Sequence, residues 1–220
     1  MVQKDPKRPR GRPRAYDPEQ ALKQATDAFW QAGFSGTSLD DLSAATSMNR
    51  PSLYGAFGDK RAMYLATIDR YVARGFDGMV QALDFDLPLA EGLRRVYYGA
   101  LSIYLPEKEA PRGCFLIGTA ATEAVRDPEI QARLCTGLRR FDSAFEARFR
   151  HAVTEGEIAD GDPVALARLA SAVLHTLAIR SRAGDSRASL KATADAAVQM
   201  LAGARSGETA KTRKRASTRR

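Results

Sequence analysis

The amino-acid sequence predicts an all-α protein. Apolar residues recur at spacings of three and four over most of the chain, the period of a helix that is buried on one face. Asp-Pro pairs occur at 17–18, 127–128 and 162–163, and an aspartate followed by proline is a typical helix start. No segment alternates apolar and polar residues with a period of two, and no Asn-Gly hairpin turn occurs, so we expect no strands.

Three short helices are predicted before residue 60. The first begins at Asp17 and ends at Gly33, because a glycine readily adopts the backbone conformation that stops a helix. The second begins at Ser38, which can cap it, and lasts to about Thr46. The third begins at Asn49 and ends near residue 57. The tight turn at 46–48 joins the last two into a helix-turn-helix.

The proline of the third helix indicates what its start does. A proline in a helix interior costs about 3 kcal/mol, but the cost largely disappears in the first turn, where backbone amides have no partner within the helix. With Asn49 as the cap, Pro51 lies in that first turn. It leaves a rigid, exposed helix start that can approach DNA, and its ring can pack on a thymine methyl group.

Longer helices are predicted for the remainder of the chain. A fourth starts near residue 59 and runs to about 83, and the following ones are expected at 88–105, 114–125, 128–154, 163–183 and 187–202. The last two carry small and apolar residues at helical spacing, which is typical of a tightly packed helix interface.

The net charge of +8 is confined to the two ends of the chain. Residues 1–14 contain six basic residues against one acid, residues 211–220 contain six and no acid, and the remainder holds 22 basic and 25 acidic residues. Both ends are poor in apolar residues, so 1–14 and 205–220 are predicted to be disordered basic arms around a slightly acidic body. Such arms favour a polyanionic partner, and a merely solubilising tail is the alternative.

Several classes of protein are disfavoured. The chain has no P-loop, no Gly-x-Gly-x-x-Gly and no His-Glu-x-x-His, and only two histidines, so we expect no catalytic site and no cofactor. Two cysteines without zinc-like spacing predict neither a disulfide framework nor a metal site. The hydrophobic fraction of 44%, the absence of a signal peptide and the short apolar run at 165–179, interrupted by Arg168 and His175, predict a cytoplasmic protein without a membrane span.

Residues 15–64 resemble the DNA-binding domain of the TetR/AcrR repressors. The resemblance is carried by "AFWQAGFSGTSLDDLSAATSMNRPSLYGAFGDKRAMY", with its Gly-Phe-x-x-Thr-Ser, its central Leu-Tyr-x-x-Phe and a lysine at the start of the next helix. It implies about nine helices: a helix-turn-helix DNA-binding domain at 15–60 and a larger helical domain for effector binding and dimerisation at 61–204. It also implies a homodimer formed through the last two helices and a repressor that a small molecule releases.

The resemblance also implies which residues contact DNA. Arg50, Pro51 and Tyr54 align with residues that touch bases or the adjacent backbone, and Arg50 offers a bidentate fork for guanine. The residues that align with phosphate contacts are Ser38, Asn49, Ser52, Tyr54 and Lys60. Residues 15–60 hold three basic residues against six acids, so we expect the arm with Arg10, Arg12 and Arg14 to supply much of the affinity from a minor groove. A sequence-independent clamp is the alternative for this arm.

The effector pocket is the least determined part of the prediction. Its candidates are Tyr97, Tyr98, Tyr104, Cys114, Phe115, Phe145 and His175, although aromatic residues at helical spacing are more often core than ligand contacts. Cys114 follows Arg112 at a predicted helix start, where charge and dipole would lower a thiol pKa. A sensor of oxidants or electrophiles and a small buried cysteine both remain open for this position.

Taken together, these patterns predict a sequence-specific DNA-binding regulator, a repressor that binds double-stranded DNA at a palindromic operator as a dimer. The alternative is a nonspecific architectural nucleic-acid-binding protein whose basic tails drive binding. Sequence selectivity separates the two, because a repressor prefers its operator by about 10³-fold or more and tail-driven binding has no preference.

Overall fold

The computed structural model describes residues 16–158 and 161–203, and within these ranges every regular element is helical. Nine α-helices follow one another in the described residues. They are α1 (Pro18–Gly36), α2 (Leu39–Thr46), α3 (Arg50–Phe57), α4 (Lys60–Ala82), α5 (Leu89–Tyr104), α6 (Ala121–Glu123), α7 (Pro128–Thr154), α8 (Pro163–Arg182) and α9 (Arg187–Ala202). The all-α prediction is confirmed.

Local capping explains where most of these helices begin. Asp17, Asp127 and Asp162 each accept hydrogen bonds from backbone amides of the following turn, and a proline occupies the first helical position after each. Ser38 and Asn49 cap α2 and α3 in the same way. These starts agree with the sequence prediction because the capping interaction depends only on residues a few positions apart.

Helix α1 changes direction at Gly33, where φ is 75° and ψ is 174°. A side chain is strained at this φ, so glycine is the residue that allows the bend. The predicted stop at Gly33 is therefore a kink, and one further helical turn reaches Gly36. The bend places Phe34 against Phe29 and Tyr64, with ring centroids 6.3 and 5.0 Å apart.

The predicted helix at 114–125 has a different geometry. A π-helical turn, Leu116–Ala120, leads directly into the short α6. This wider turn places Thr119 against α4, where its hydroxyl accepts a hydrogen bond of 2.8 Å from Tyr64. Sequence periodicity did not reveal the change, because a single wider turn alters the helical phase by only one residue.

Helix α4 connects two packed regions. Its first half packs with α1 and α3, which with α2 contribute buried Phe29, Leu42 and Leu53, and its second half packs against α5 and α7. Helices α5, α7, α8 and α9 form the larger part of the molecule, with α7 against α8 and α5 against α9. Where α4 crosses α7, Gly137 is so close to Val72 that a Cβ there would lie 2.7 Å from a Val72 methyl group.

Helix α8 is long and apolar enough to cross a membrane by length and composition, which the sequence prediction of a short interrupted run did not anticipate. It packs against α7 and α9, and 39% of its most apolar window is buried inside the protein. Core helices of soluble proteins share this composition.

Candidate nucleic-acid interface and ligand cavity

The first two turns of α3 present three exposed side chains. Arg50 and Pro51 are exposed at its start, and Tyr54 is 49% exposed one turn later. On the opposite side Leu53 is buried and fixes the helix against the core. Asn49 Oδ1 accepts a 2.9 Å hydrogen bond from the Ser52 amide, and the Asn49 side-chain NH2 group has no acceptor among the described residues. The structure thus brings together the residues predicted to reach base edges.

Arg50 has a partner within the same motif. Its guanidinium forms a bidentate ion pair with Asp40 of α2, with Nη2 lying 2.8 Å from Oδ1 and 2.7 Å from Oδ2. This contact, with the Asp40 charge, raises the pKa of Arg50, so Arg50 stays protonated. For Arg50 to contact guanine, its guanidinium must either bind the base while it still contacts Asp40 or break the ion pair with Asp40. Sequence analysis missed Asp40, and no short-range pattern identifies a partner ten residues away.

The residues predicted to hold phosphates differ in whether their side chains already form contacts within the protein. The Ser38 hydroxyl accepts from the Asp41 amide and donates to the Asp41 carboxylate at 2.7 Å, so it is already engaged. Hydrogen bonds from Ser38 lower the pKa of Asp41, which keeps a negative charge at this helix start. Lys60 lies at the first position of α4, with its Nζ 4.4 Å above the Phe34 ring. Ser52 is half-buried. Arg10, Arg12 and Arg14 lie outside the described residues.

A cavity of about 180 Å³ lies between α4, α5, α7 and α8. Its wall is mainly apolar, with three glycines and two arginines. The lining residues are Tyr71, Arg74, Gly75, Gly78, Met79, Ala82, Arg95, Val96, Gly99, Ala100, Tyr104, Cys114, Leu116, Leu138, Phe141, Ser171, Leu174 and His175. Small-molecule sites in proteins are usually apolar clefts of this kind with a few polar groups.

Three of the residues predicted for an effector pocket line this cavity: Tyr104, Cys114 and His175. Burial lowers the pKa of His175 in spite of the nearby Asp142 charge, so its imidazole is neutral near neutral pH. The Cys114 thiol is buried and accepts a 3.4 Å hydrogen bond from the Tyr71 hydroxyl. Burial, together with Cys114, raises the pKa of both Tyr71 and Tyr104 well above the ordinary value.

The other four predicted pocket residues are absent from the cavity lining. Tyr97 is fully buried and donates to the Ala170 carbonyl, and Phe145 packs beside it with the ring centroids 6.4 Å apart. Phe115 packs in an aromatic cluster with Trp30 and Tyr64. Tyr98 turns to α9, where its hydroxyl donates to Asp195. The helical spacing of aromatic residues did not distinguish core from cavity because both are apolar.

Arg112 also differs from the expectation that its charge acts on Cys114. Its guanidinium lies over the Trp30 ring at 4.2 Å and pairs with Asp27 at 3.3 Å. The charge is therefore directed toward α1. The cavity residues missed by the sequence analysis include Tyr71, Arg74 and Gly78, and the one signal that could have found them is the pair of glycines inside the long helix α4.

Helices α8 and α9 leave an apolar face uncovered. Leu169 and Ile179 are each 57% exposed, and Met200 is 79% exposed, although all three are large apolar residues. Exposed small residues complete the face at helical spacing: Ala165, Ala172 and Thr176 on α8, and Ala188, Ala192 and Ala196 on α9. Exposed large apolar residues grouped with small ones on two neighbouring helices are typical of an interface with another protein.

A short capped helix that presents its first turn to solvent, within a helix-turn-helix, defines the class of helix-turn-helix DNA-binding transcription regulators. The comparisons with known proteins identify the family. Residues 21–67 match the family model of bacterial regulatory proteins of the tetR family, and residues 91–197 match that of the tetracyclin repressor-like C-terminal domain. The chain belongs to the TetR family, whose members are regulators of transcription rather than enzymes and are dimers with small-molecule effectors.

Individual relatives agree with this assignment. The HTH-type transcriptional repressor ComR of Escherichia coli (strain K12) is 29% identical over 181 residues, which span 82% of this chain and 86% of ComR. A solved structure of a cysteine mutant of the TetR family regulator CifR, complexed with 26-base-pair operator DNA, is 30% identical, with a TM-score of 0.73. The match covers 86% of this chain and 98% of that one. A TetR family regulator from Cytophaga hutchinsonii is 23% identical with a TM-score of 0.71 and supports the fold alone.

These findings confirm that the protein is a sequence-specific, DNA-binding transcription regulator whose partner is double-stranded DNA. The domain boundaries and the individual contact residues stay predictions.

Proposed function

We propose that the protein is a cytoplasmic, homodimeric repressor that a small molecule in the cavity between α4, α5, α7 and α8 releases from its operator. The single observation that carries this proposal is the continuity of α4. This helix supports α3 through its first half and lines the cavity through Tyr71, Gly75 and Met79 in its second half. A ligand that displaces α4 therefore also displaces the surface for DNA.

The DNA contacts follow from the exposed start of α3. Arg50, Pro51 and Tyr54 contact base edges or the adjacent backbone, and the free amide group of Asn49, with Ser38, Ser52 and Lys60, holds phosphates. In this proposal the basic arm, with Arg10, Arg12 and Arg14, enters an adjoining minor groove. It strengthens binding because its arginines neutralise phosphates and release counterions from the DNA. Two copies joined through α8 and α9 place two α3 helices on a palindrome, since one eight-residue helix contacts few bases.

Fluorescence anisotropy with a duplex from the promoter next to the protein's own gene, against a random duplex of equal length, tests the proposal. A repressor prefers the promoter duplex by about 10³-fold, and the preference survives an increase in salt. Equal affinity for both duplexes, lost together as salt rises, would instead identify the architectural binder driven by the basic tails.

The variant Tyr54→Ala tests the proposed DNA contact of α3. Because the Tyr54 side chain is half-exposed and its hydroxyl forms no hydrogen bond within the described residues, its removal should leave the helical content and thermal unfolding unchanged. It should lower operator affinity by at least about tenfold, and by more than it lowers binding to random duplex. Operator affinity equal to the wild type would exclude Tyr54 from the interface.

A further inference from the structure

The two charged residues that line the cavity are both basic. Its lining includes Arg74 of α4 and Arg95 of α5 but no aspartate or glutamate. His175 adds a neutral imidazole, since burial lowers its pKa. The rest of the wall is formed by aliphatic and aromatic side chains and by glycine, apart from Ser171. The Ser171 hydroxyl donates to Asp142, so it is already engaged.

The cavity lining is exposed at Gly78 of α4 and Gly99 of α5, and we take this exposed edge as its mouth. Gly78 and Gly99 are exposed, and a Cβ built on either would meet no atom within 4 Å. Packing therefore does not require glycine at these positions, although glycine in a helix interior is unfavourable. Their absent side chains leave the space between α4 and α5 open.

The two arginines flank this mouth. Arg74 precedes Gly78 by four residues, and Arg95 precedes Gly99 by four residues, so each arginine lies one turn away on the same helical face as its glycine. Arg74 is exposed and forms no ion pair with any residue in the described ranges. Arg95 pairs with Glu91, with Nε lying 3.0 Å from Oε1, and Glu91 also binds Arg94.

We propose that this cavity binds an organic carboxylate with an apolar body, whose carboxylate is held at the mouth by Arg74 and Arg95. The guanidinium fork matches a carboxylate in geometry and charge, and its hydrogen bonds to an ionised partner are stronger than those between neutral groups. The apolar body lies among Tyr71, Tyr104 and Phe141. The inference rests on the proposed function, because it names the chemical class of the effector for the same cavity.

Matched pairs of probes that differ only in charge test the preference. Isothermal titration calorimetry near neutral pH compares 1-naphthaleneacetate with 1-naphthaleneacetamide, and octanoate with octanamide, on the full-length protein without DNA. We expect at least one carboxylate to bind, and to bind about tenfold or more tightly than its amide, because only the carboxylate forms charge-assisted hydrogen bonds.

The variant Arg74→Gln/Arg95→Gln should reduce this preference to about threefold or less, since it removes both guanidinium groups but keeps polar side chains with the same three-carbon stem. The matched control is Arg139→Gln. Arg139 is likewise exposed without an ion pair among the described residues, but it lies on α7 outside the cavity lining, so its variant should keep the full preference. Near-native thermal unfolding of both variants establishes that they fold.

Three results would overturn the inference: no binding of either carboxylate, amides that bind as tightly as the carboxylates, or a preference that survives in the double variant. The proposed function fails in a different way. A carboxylate that binds with the expected preference but leaves operator affinity unchanged would contradict ligand release, while the assignment of ligand class would stand.

Discussion

The ion pair between Arg50 and Asp40 limits how Arg50, in the first turn of α3, can contact DNA. Asp40 occupies the bidentate face of the guanidinium that would otherwise contact guanine, and both side chains are largely exposed. In water such a pair adds little to stability, since solvent screens it. On the proposed DNA contacts its effect is on binding, because it would place a carboxylate near DNA phosphates and restrains the one arginine of α3.

Asp40→Asn should therefore weaken discrimination. We expect binding to random duplex to increase about threefold or more, and the dependence of log affinity on log salt to steepen by roughly 0.9, because the freed Arg50 neutralises a phosphate. Titration of random duplex at several salt concentrations measures both quantities. Asp77→Asn makes the same charge change on an exposed residue of α4. An equal increase in that variant would show that net charge alone is responsible.

Two helix-interior glycines should respond in opposite ways to the same substitution. Gly78→Ala adds a methyl group in open space and should raise the free energy of unfolding by about 0.5–1 kcal/mol. Gly137→Ala places its Cβ 2.7 Å from a methyl group of Val72, whose β-branched side chain is stiff. This substitution should therefore lower the free energy of unfolding by about 1–3 kcal/mol. Urea unfolding at one protein concentration measures both, and changes of the same sign would contradict the packing at the α4–α7 crossing.

At the scale of elements, α1 is joined to the segment that leads to the cavity. Trp30, the single tryptophan of the chain, donates from Nε1 to the Arg112 carbonyl at 3.1 Å. Its ring packs against Tyr71 of α4, with centroids 5.2 Å apart, and under the Arg112 guanidinium. Tyr71 and Cys114 line the cavity, so one cluster of side chains contacts both the helix-turn-helix module and the cavity.

The variant Arg112→Gln tests how much the contacts of Arg112 with α1 contribute to the free energy of unfolding. Loss of the cation–π contact and of the ion pair with Asp27 should lower the free energy of unfolding by about 1 kcal/mol. Arg150→Gln, which removes an exposed ion pair with Glu146 within one helix, should cost less than about 0.5 kcal/mol. Chemical denaturation followed by circular dichroism compares the two, and equal costs would mean that Arg112 contributes no more than a surface residue.

For the whole molecule, the uncovered face of α8 and α9 is the main feature that a single chain leaves unexplained. Leu169 and Ile179 project from α8 ten residues apart on the same side, and the alanines of α9 allow close approach of another helix. A two-fold arrangement would bring each face against its own copy, which removes this apolar surface from water.

Ile179→Glu should dissociate the dimer, because a two-fold axis brings the introduced carboxylate into an apolar contact in both copies. Sedimentation velocity should show a monomer of unchanged helical content, and operator affinity should fall by about 100-fold or more. Val125→Glu is the matched control, since Val125 is 84% exposed at a site distant in sequence from α8 and α9. A dimer that persists in Ile179→Glu would place the interface elsewhere.

The sequence by itself determined the helices and the motif. Caps such as Asp17, Ser38 and Asn49 act on amides two or three residues away, so the starts of α1, α2 and α3 depend on local chemistry and were predicted correctly. The role of Pro51 as part of an exposed first turn follows in the same way. The resemblance to TetR/AcrR repressors lies in this same stretch, and the comparisons confirmed it.

Only the tertiary structure decided which side chains meet. Tyr97 and Tyr104 are both buried on α5, yet Tyr97 packs against Phe145 of α7 and donates to the Ala170 carbonyl of α8, whereas Tyr104 lines the cavity. The contacts of Arg50 with Asp40 and of Arg112 with Trp30 join residues that are 10 and 82 positions apart. Helical periodicity determines the face on which a residue lies, whereas the position of the neighbouring helix determines what that face contacts.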